Sequence, residues 1–150
     1  MVEYDSLEEF RDPQTYDVID AGYDEDRPVI EQWARELGGP LLDLACGTGR
    51  MAIPMALRGY QVTGVDVGPE MVEWGRKKAA RQGASIEWVV ADGRAFHLQQ
   101  QFRFIYMLAH AFQFFHTRAD LEALLARIRE HLTPDGCFLF DTRNPSRQNL

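Results

Sequence analysis

The chain has 150 residues, 45% hydrophobic and 26% charged, a globular composition that excludes a collagen-like or wholly disordered chain and fits one domain, 1–150. Acidic residues outnumber basic ones 23 to 16, a net charge of −7, which argues against a nucleic-acid partner. No apolar run approaches the roughly 20 residues that span a bilayer, and the acidic start from Met1 to Phe10 has the wrong charge for a leader peptide, so a cytoplasmic chain with no membrane partner is expected.

Up to Gly22 the chain alternates polar and aromatic side chains, Tyr4, Phe10 and Tyr16 among them, with no steady period. Asp24 to Asp26 and then Pro28 mark a helix start. Val29, Ile30, Trp33, Ala34 and Leu37 recur at helical spacing, and Gly38-Gly39 end that helix. Leu41–Ala45 is a short apolar strand. Gly47 to Gly49 turn the chain into a helix reaching Arg58. Pro54 would block a backbone bond inside it, so the helix starts late, near Arg50 or Met51, or kinks. Gln61–Asp66 is a second strand, and Gly68-Pro69 open a helix to Gln82 that Gly83 closes.

Ser85–Ala91 and Phe102–Leu108 are the third and fourth strands. Thr117, three residues before Asp120, caps a helix through Leu132. Asp135-Gly136 then turn into a fifth strand, Cys137–Asp141. Strands alternating with helices predict an α/β fold, a parallel sheet covered on both faces. Leu41–Ala45, Trp88–Ala91 and Cys137–Phe140 read as continuous apolar runs, as strands buried on both faces do. Cys46 and Cys137 are too few for a disulfide framework or a zinc set and read as small buried hydrophobes. The basic run Arg76-Lys77-Lys78 with Arg81 lies late in a helix and reads as a solvated face.

The stretch Asp43-Leu-Ala-Cys-Gly-Thr-Gly49 carries the most chemistry. It joins a strand to a helix. Its glycines allow a ligand close to the backbone, and the helix start offers free N–H groups. Gly47-Thr-Gly49-Arg-Met-Ala52 also satisfies a dinucleotide pattern. Asp66 ends the second strand, where a carboxylate can accept from both ribose hydroxyls or cap the helix after Gly68-Pro69. Asp92 follows the third strand, where it can accept from an adenine amino group or close an ordinary turn with Gly93.

Together these residues resemble the class I S-adenosylmethionine-dependent methyltransferases. Leu41–Arg50, Val62–Asp66 with Gly68–Met71, Val89–Asp92, and Leu124–Asp141 match successive motifs of that family. The resemblance implies a Rossmann-like doubly wound sheet, five parallel strands in the order 3-2-1-4-5, with S-adenosylmethionine as cofactor. It implies that Asp43 and the loop through Ala45, Gly47, Thr48 and Gly49 hold the methionine part. Asp66 would bind the ribose. Val67 and Met71 would flank the adenine beside Ala91, Asp92 and Gly93. Ala109 and His110 would lie near the sulfonium. Residues 1–27 would form an N-terminal lid, with Tyr16 and Tyr23 folding over the cofactor. The family continues past the fifth strand with a helix and two more strands, one antiparallel, which this chain lacks.

Methyl transfer needs alignment, desolvation and sometimes a base. His110 is the candidate base, since imidazoles ordinarily titrate near neutrality; a partly buried histidine bonded to backbone is the other reading. His97, His116 and His131 read as solvated. Phe112, Phe114 and Phe115 can line an apolar substrate pocket or join the core. The expected activity is transfer to O or N of a small molecule. A cofactor-binding module without turnover and an NAD-dependent oxidoreductase are the alternatives. No metal site is expected. In the strand order above, Cys137–Asp141 lies outermost with no Lys or Pro inside it. Pro145–Leu150 are too few and too polar to cover it, so a homo-oligomer through this edge is expected.

Overall fold

Glycines and prolines set most element boundaries in the computed structural model, which describes residues 12–20 and 22–144. Met1–Phe10, read above as no leader, and Pro145–Leu150, read above as too small a cover, lie outside the described residues. Helix α1 spans Pro13–Ile19, capped by Asp12, whose carboxylate accepts from the Gln14 amide. The Asp12-Pro13 pair is a capping signal that carries no hydrophobic period. Helix α2 spans Arg27–Leu37 and stops at Gly38, φ 73°. Helix α3, Ala52–Leu57, starts late. Pro54 therefore falls in its first turn, where a missing N–H costs no helical bond. Helix α4 spans Pro69–Gln82 and ends on left-handed Gly83. Thr117 caps α5, Arg118–His131, by accepting from the Asp120 amide at 3.0 Å.

The strands β1 (Leu41–Leu44), β2 (Val62–Asp66), β3 (Glu87–Val90), β4 (Phe102–Met107) and β5 (Leu132–Phe140) form one parallel sheet in the order β3-β2-β1-β4-β5. Helices α2 and α3 pack on one face around Ile30, Ala34, Met55, Phe104 and Tyr106. Helix α5 and Phe96 cover the other, around Leu42, Ile105, Met107, Leu124 and Ile128. Helix α4 closes on Trp88, Ile53 and Cys46. The described residues between β3 and β4 hold turns and no helix. Strand β5 begins earlier than expected: Leu132 pairs with Phe102 and Cys137 with Phe104, so Thr133–Gly136 bulge from the ladder.

Two expectations change. The run Trp88–Ala91 is not buried on both faces, because β3 is an outer strand and Val90 is 51% exposed. Strand β5 is the other edge, with Phe140 exposed and Cys137 only partly buried. An apolar run is common to central and edge strands, so it does not tell them apart. His131 is not solvated either. It is buried, with Nε2 accepting from the Leu98 amide and Nδ1 donating to the Arg127 carbonyl. The order reverses between β1 and β4. That is the switch point beyond whose carboxyl ends ligands bind in such sheets.

Candidate functional site

At that switch point lies a cavity of about 470 Å³. Its floor is the ends of β1, β2 and β4: Leu44, Val65 and Met107. Ala45, Gly47, Asp66, Val67, Met71, Ala91, Asp92, Gly93 and Ala109 line it, as does Tyr16 from α1. Phe114 and Phe115 close the far side, while Phe112 turns away and stacks on Phe140 at 4.1 Å. Ala45 takes a left-handed φ of 61° and Gly47 one of 56°. These two left-handed residues, on either side of Cys46, turn the backbone sharply where it forms the cavity wall.

Asp66 faces this space, with Glu70 and Asp92 the other acidic residues that line it. One Asp66 oxygen accepts from the Gly47 amide and the other from the Gly68 amide, both at 2.8 Å. It therefore serves both roles open in the sequence: it braces the start of α4 and faces the cavity. Burial pushes its carboxyl above the usual range, opposed by the amides of Gly68, Gly47 and Val67. A carboxylate has about four lone-pair sites, so acceptor capacity remains for hydroxyl donors. Its surroundings of Val67, Met71, Ala91 and Gly93 suit a flat apolar ring.

Asp43 lies beneath the loop and not on the cavity wall. It is 3% exposed. Burial raises its pKa to about 8, against the pull of Arg50, with Asp66 and Tyr106 as the other close groups. Arg50 forks onto Asp26 at 2.8 and 2.6 Å and sits 5.3 Å over the Tyr23 ring. Tyr23 is thereby held beside Arg50 in a separate polar recess with Asp17 and Lys78, outside the apolar cavity. Thr48 and Gly49 also miss the cavity. Thr48 is fully buried and bonds Asp17 and Lys78, while Gly49 faces Trp88 and Ile53 across a gap that leaves no room for a Cβ.

Asp92 lines the cavity, but its carboxylate is clasped by the Arg94 side chain through Nε and Nη2, and it also accepts the Arg94 amide. Arg94 reaches on to Asp120 at 2.8 Å. Those bonds hold Asp92 below the usual carboxylate range, against its burial.

His110 and Ala109 both take left-handed φ, 59° and 55°. This strain is unusual for side-chain-bearing residues. Asp141, at the end of β5, holds it in place by accepting both amides, at 3.1 Å from Ala109 and 2.8 Å from His110. His110 itself is not among the residues that line the cavity, although its neighbours Ala109 and Ala111 are; its ring is half-buried, with Nδ1 3.8 Å from Asp141. Asp141, Arg94, Arg50 and Asp17 were missed as site residues, because most of their partners lie far along the chain. Only the Arg94–Asp92 pair, two residues apart, carries a local signal.

Residues 41–136 match the family model described as a methyltransferase domain. The chain is 29% identical over 119 residues to the ubiquinone biosynthesis O-methyltransferase of Salmonella paratyphi A, covering 77% of this chain and 47% of that protein. A glycopeptide N-methyltransferase, MtfA, solved with S-adenosylmethionine, superposes with a TM-score of 0.67 at 29% identity, over 79% of this chain and 55% of that one. A methyltransferase structure from Clostridium acetobutylicum shares the fold at TM-score 0.76 and 23% identity, over 93% and 57% of the two chains. Shorter matches, over 38% of this chain, reach proteins named as RNA methyltransferases. The chain spans about half the length of the curated relatives it matches. Sheet order, switch-point cavity and family match agree: the chain belongs to the class I S-adenosylmethionine-dependent methyltransferases, whose cofactor is S-adenosylmethionine.

Proposed function

We propose that this domain binds S-adenosylmethionine in the cavity above β1 and β4 and directs its methyl group to an oxygen or nitrogen of a small molecule. The observation that carries the reading is Asp66, a part-buried carboxylate opening onto an otherwise largely apolar cavity. The bound cofactor supplies an electrophilic methyl on a sulfonium. Asp66 accepts from the ribose hydroxyls, and Val67 and Met71 pack on the adenine. Asp92, neutralised by Arg94, offers its remaining lone pairs to the adenine amino group. Ala109 and Ala111 meet the methyl-bearing end, where Phe114 and Phe115 exclude water. The net charge of −7 favours a small acceptor over RNA. Among the described residues no helix is long and apolar enough to cross a membrane.

His110 takes a proton from the acceptor where the reaction requires it. His110→Ala then slows transfer by about 10²-fold or more for an acceptor that must be deprotonated, and leaves a pre-ionised acceptor unaffected. The direct test is ligand-dependent melting. S-adenosylhomocysteine at 100 times Kd should stabilise the fold by about 2.7 kcal/mol, and NAD should not. Stabilisation by NAD instead would favour an oxidoreductase. Methyl transfer across a panel of O and N acceptors follows. Binding without transfer to any acceptor supports the second reading, a cofactor-binding module.

A further inference from the structure

Helix α1 has no buried residue, and Val18 and Ile19 are each 76% exposed. Seven residues are too few for a helix to hold itself in water. No fully buried apolar side chain therefore holds α1 against α4 and the glycine loop; beside the part-buried Tyr16, its anchor is Asp17. Its Oδ1 accepts from the Thr48 hydroxyl at 2.5 Å, and its Oδ2 accepts from Trp74 Nε1 at 2.7 Å and Lys78 Nζ at 2.8 Å. Lys78 also donates to the Thr48 hydroxyl at 3.1 Å. Thus one carboxylate on α1 ties together the glycine loop and two successive turns of α4. Lys78, read from sequence as part of a solvated face, is the cation of this cluster, while Arg76 and Lys77 remain exposed.

The next residue back is Tyr16, which lines the cavity. A Cβ placed on Gly47 would lie 3.9 Å from its ring and 4.0 Å from its hydroxyl. Neighbouring residues on a helix point about 100° apart. Seating Asp17 against Thr48 and α4 therefore turns Tyr16 over Gly47. Burial would raise the Asp17 pKa, yet the bonds from Lys78, Thr48 and Trp74 outweigh it and hold the carboxyl below its usual range.

We infer that Asp17 is a positioning residue for cofactor binding: it latches α1 through Thr48, Trp74 and Lys78, so that Tyr16 walls the cavity and slows ligand release. This rests on the cofactor site proposed above. The test uses the full chain, with S-adenosylhomocysteine as probe. Asp17→Asn removes the charge, and Lys78→Met removes one donor. Each should weaken affinity by about tenfold, the worth of one hydrogen bond to a charged group. The loss should appear as faster release, with association little changed. Lys78→Arg, which keeps charge and donors, should bind nearly as wild type does. In ligand-free Asp17→Asn the amides from Tyr16 to Asp20 should exchange faster, with those of β1 and β4 unchanged. Wild-type exchange across α1 in that variant overturns the latch whether or not any ligand binds. Faster exchange with unchanged release overturns the positioning role. A wild-type chain that fails to bind S-adenosylhomocysteine refutes the cofactor site and leaves the exchange arm to decide the latch.

Discussion

At the scale of single residues, two carboxylates, Asp43 buried and Asp66 part-buried, divide the work of the site. Asp66 faces the cavity, and the hydroxyl bonds expected of it are charged ones, each contributing roughly 1.5–3 kcal/mol. Asp66→Ala should therefore weaken S-adenosylhomocysteine binding by about 10²-fold or more, measured by calorimetry. An unchanged Kd with an intact fold would remove Asp66 from the site. Asp43 lies behind the loop with a pKa raised by burial to about 8. Between its ordinary value near 4 and about 8, the folded chain keeps a proton that the unfolded chain has lost. This contribution to stability is fully present below about pH 4 and is lost as pH rises toward 8. Asp66 acts in the same direction. Denaturation from pH 6 to 9 should show a steeper loss of stability in wild type than in Asp43→Asn; equal slopes would show that Asp43 is already ionised. Motif position points to Asp66, Val67, Met71, Ala91, Gly93 and Ala109, and these line the cavity, since strand ends at a switch point face one cleft. Thr48, Gly49 and Tyr23 carry the same motif signal but lie outside it, because membership of a loop does not say which side of the backbone faces the cavity. Asp17 and Asp141 were illegible, with partners 31 to 61 residues away.

At the scale of elements, α4 approaches the sheet closely because Gly75 leaves room for Trp88. A Cβ on Gly75 would lie 2.6 and 2.8 Å from the Trp88 ring and 2.9 Å from the Thr48 carbonyl oxygen. Alanine is favoured over glycine inside a helix by about 1 kcal/mol. Overpacking costs typically 1–3 kcal/mol, and one of the obstructing atoms here is backbone. The clash should win: Gly75→Ala should lower stability by about 1–2 kcal/mol in urea denaturation, and Trp88→Leu in the same chain should recover part of it. A stabilised Gly75→Ala would mean that α4 can lift freely. Because Trp74 and Lys78 ride on this helix, the same variant should also loosen the Asp17 cluster. Helix limits were legible wherever a proline or glycine punctuates, as at Pro69, Gly83 and Gly38. Exposure of the outer strands was not, since Trp88–Ala91 and Cys137–Phe140 are as apolar as the central β1. Only the pairing order separates them.

At the scale of the whole molecule, both edges of the sheet are outer strands: β3, which is covered only in part because Val90 is exposed, and β5. At β3 the Trp88 side chain is only 8% exposed, beneath α4. At β5 the segment Cys137–Phe140 holds no Lys and no Pro, and its partly exposed side chains include Phe138 and Phe140, the Phe140 ring stacking with both Phe138 and Phe112. One side of that strand pairs with β4 and the other has no strand neighbour among the described residues. Unpaired N–H and C=O groups beside an apolar patch favour addition of another strand, and a second copy offers the same edge. The Thr133–Gly136 bulge lies at the start of β5, so it blunts that end and leaves Cys137–Phe140 flat. We expect the 150-residue chain to self-associate, with light-scattering mass rising above the monomer value as concentration rises. Phe140→Lys places a charge on the edge and removes an exposed ring without touching the buried cores, so it should return the chain to monomer while sparing the fold. A wild-type chain that stays monomeric at high concentration would show that this edge is already closed.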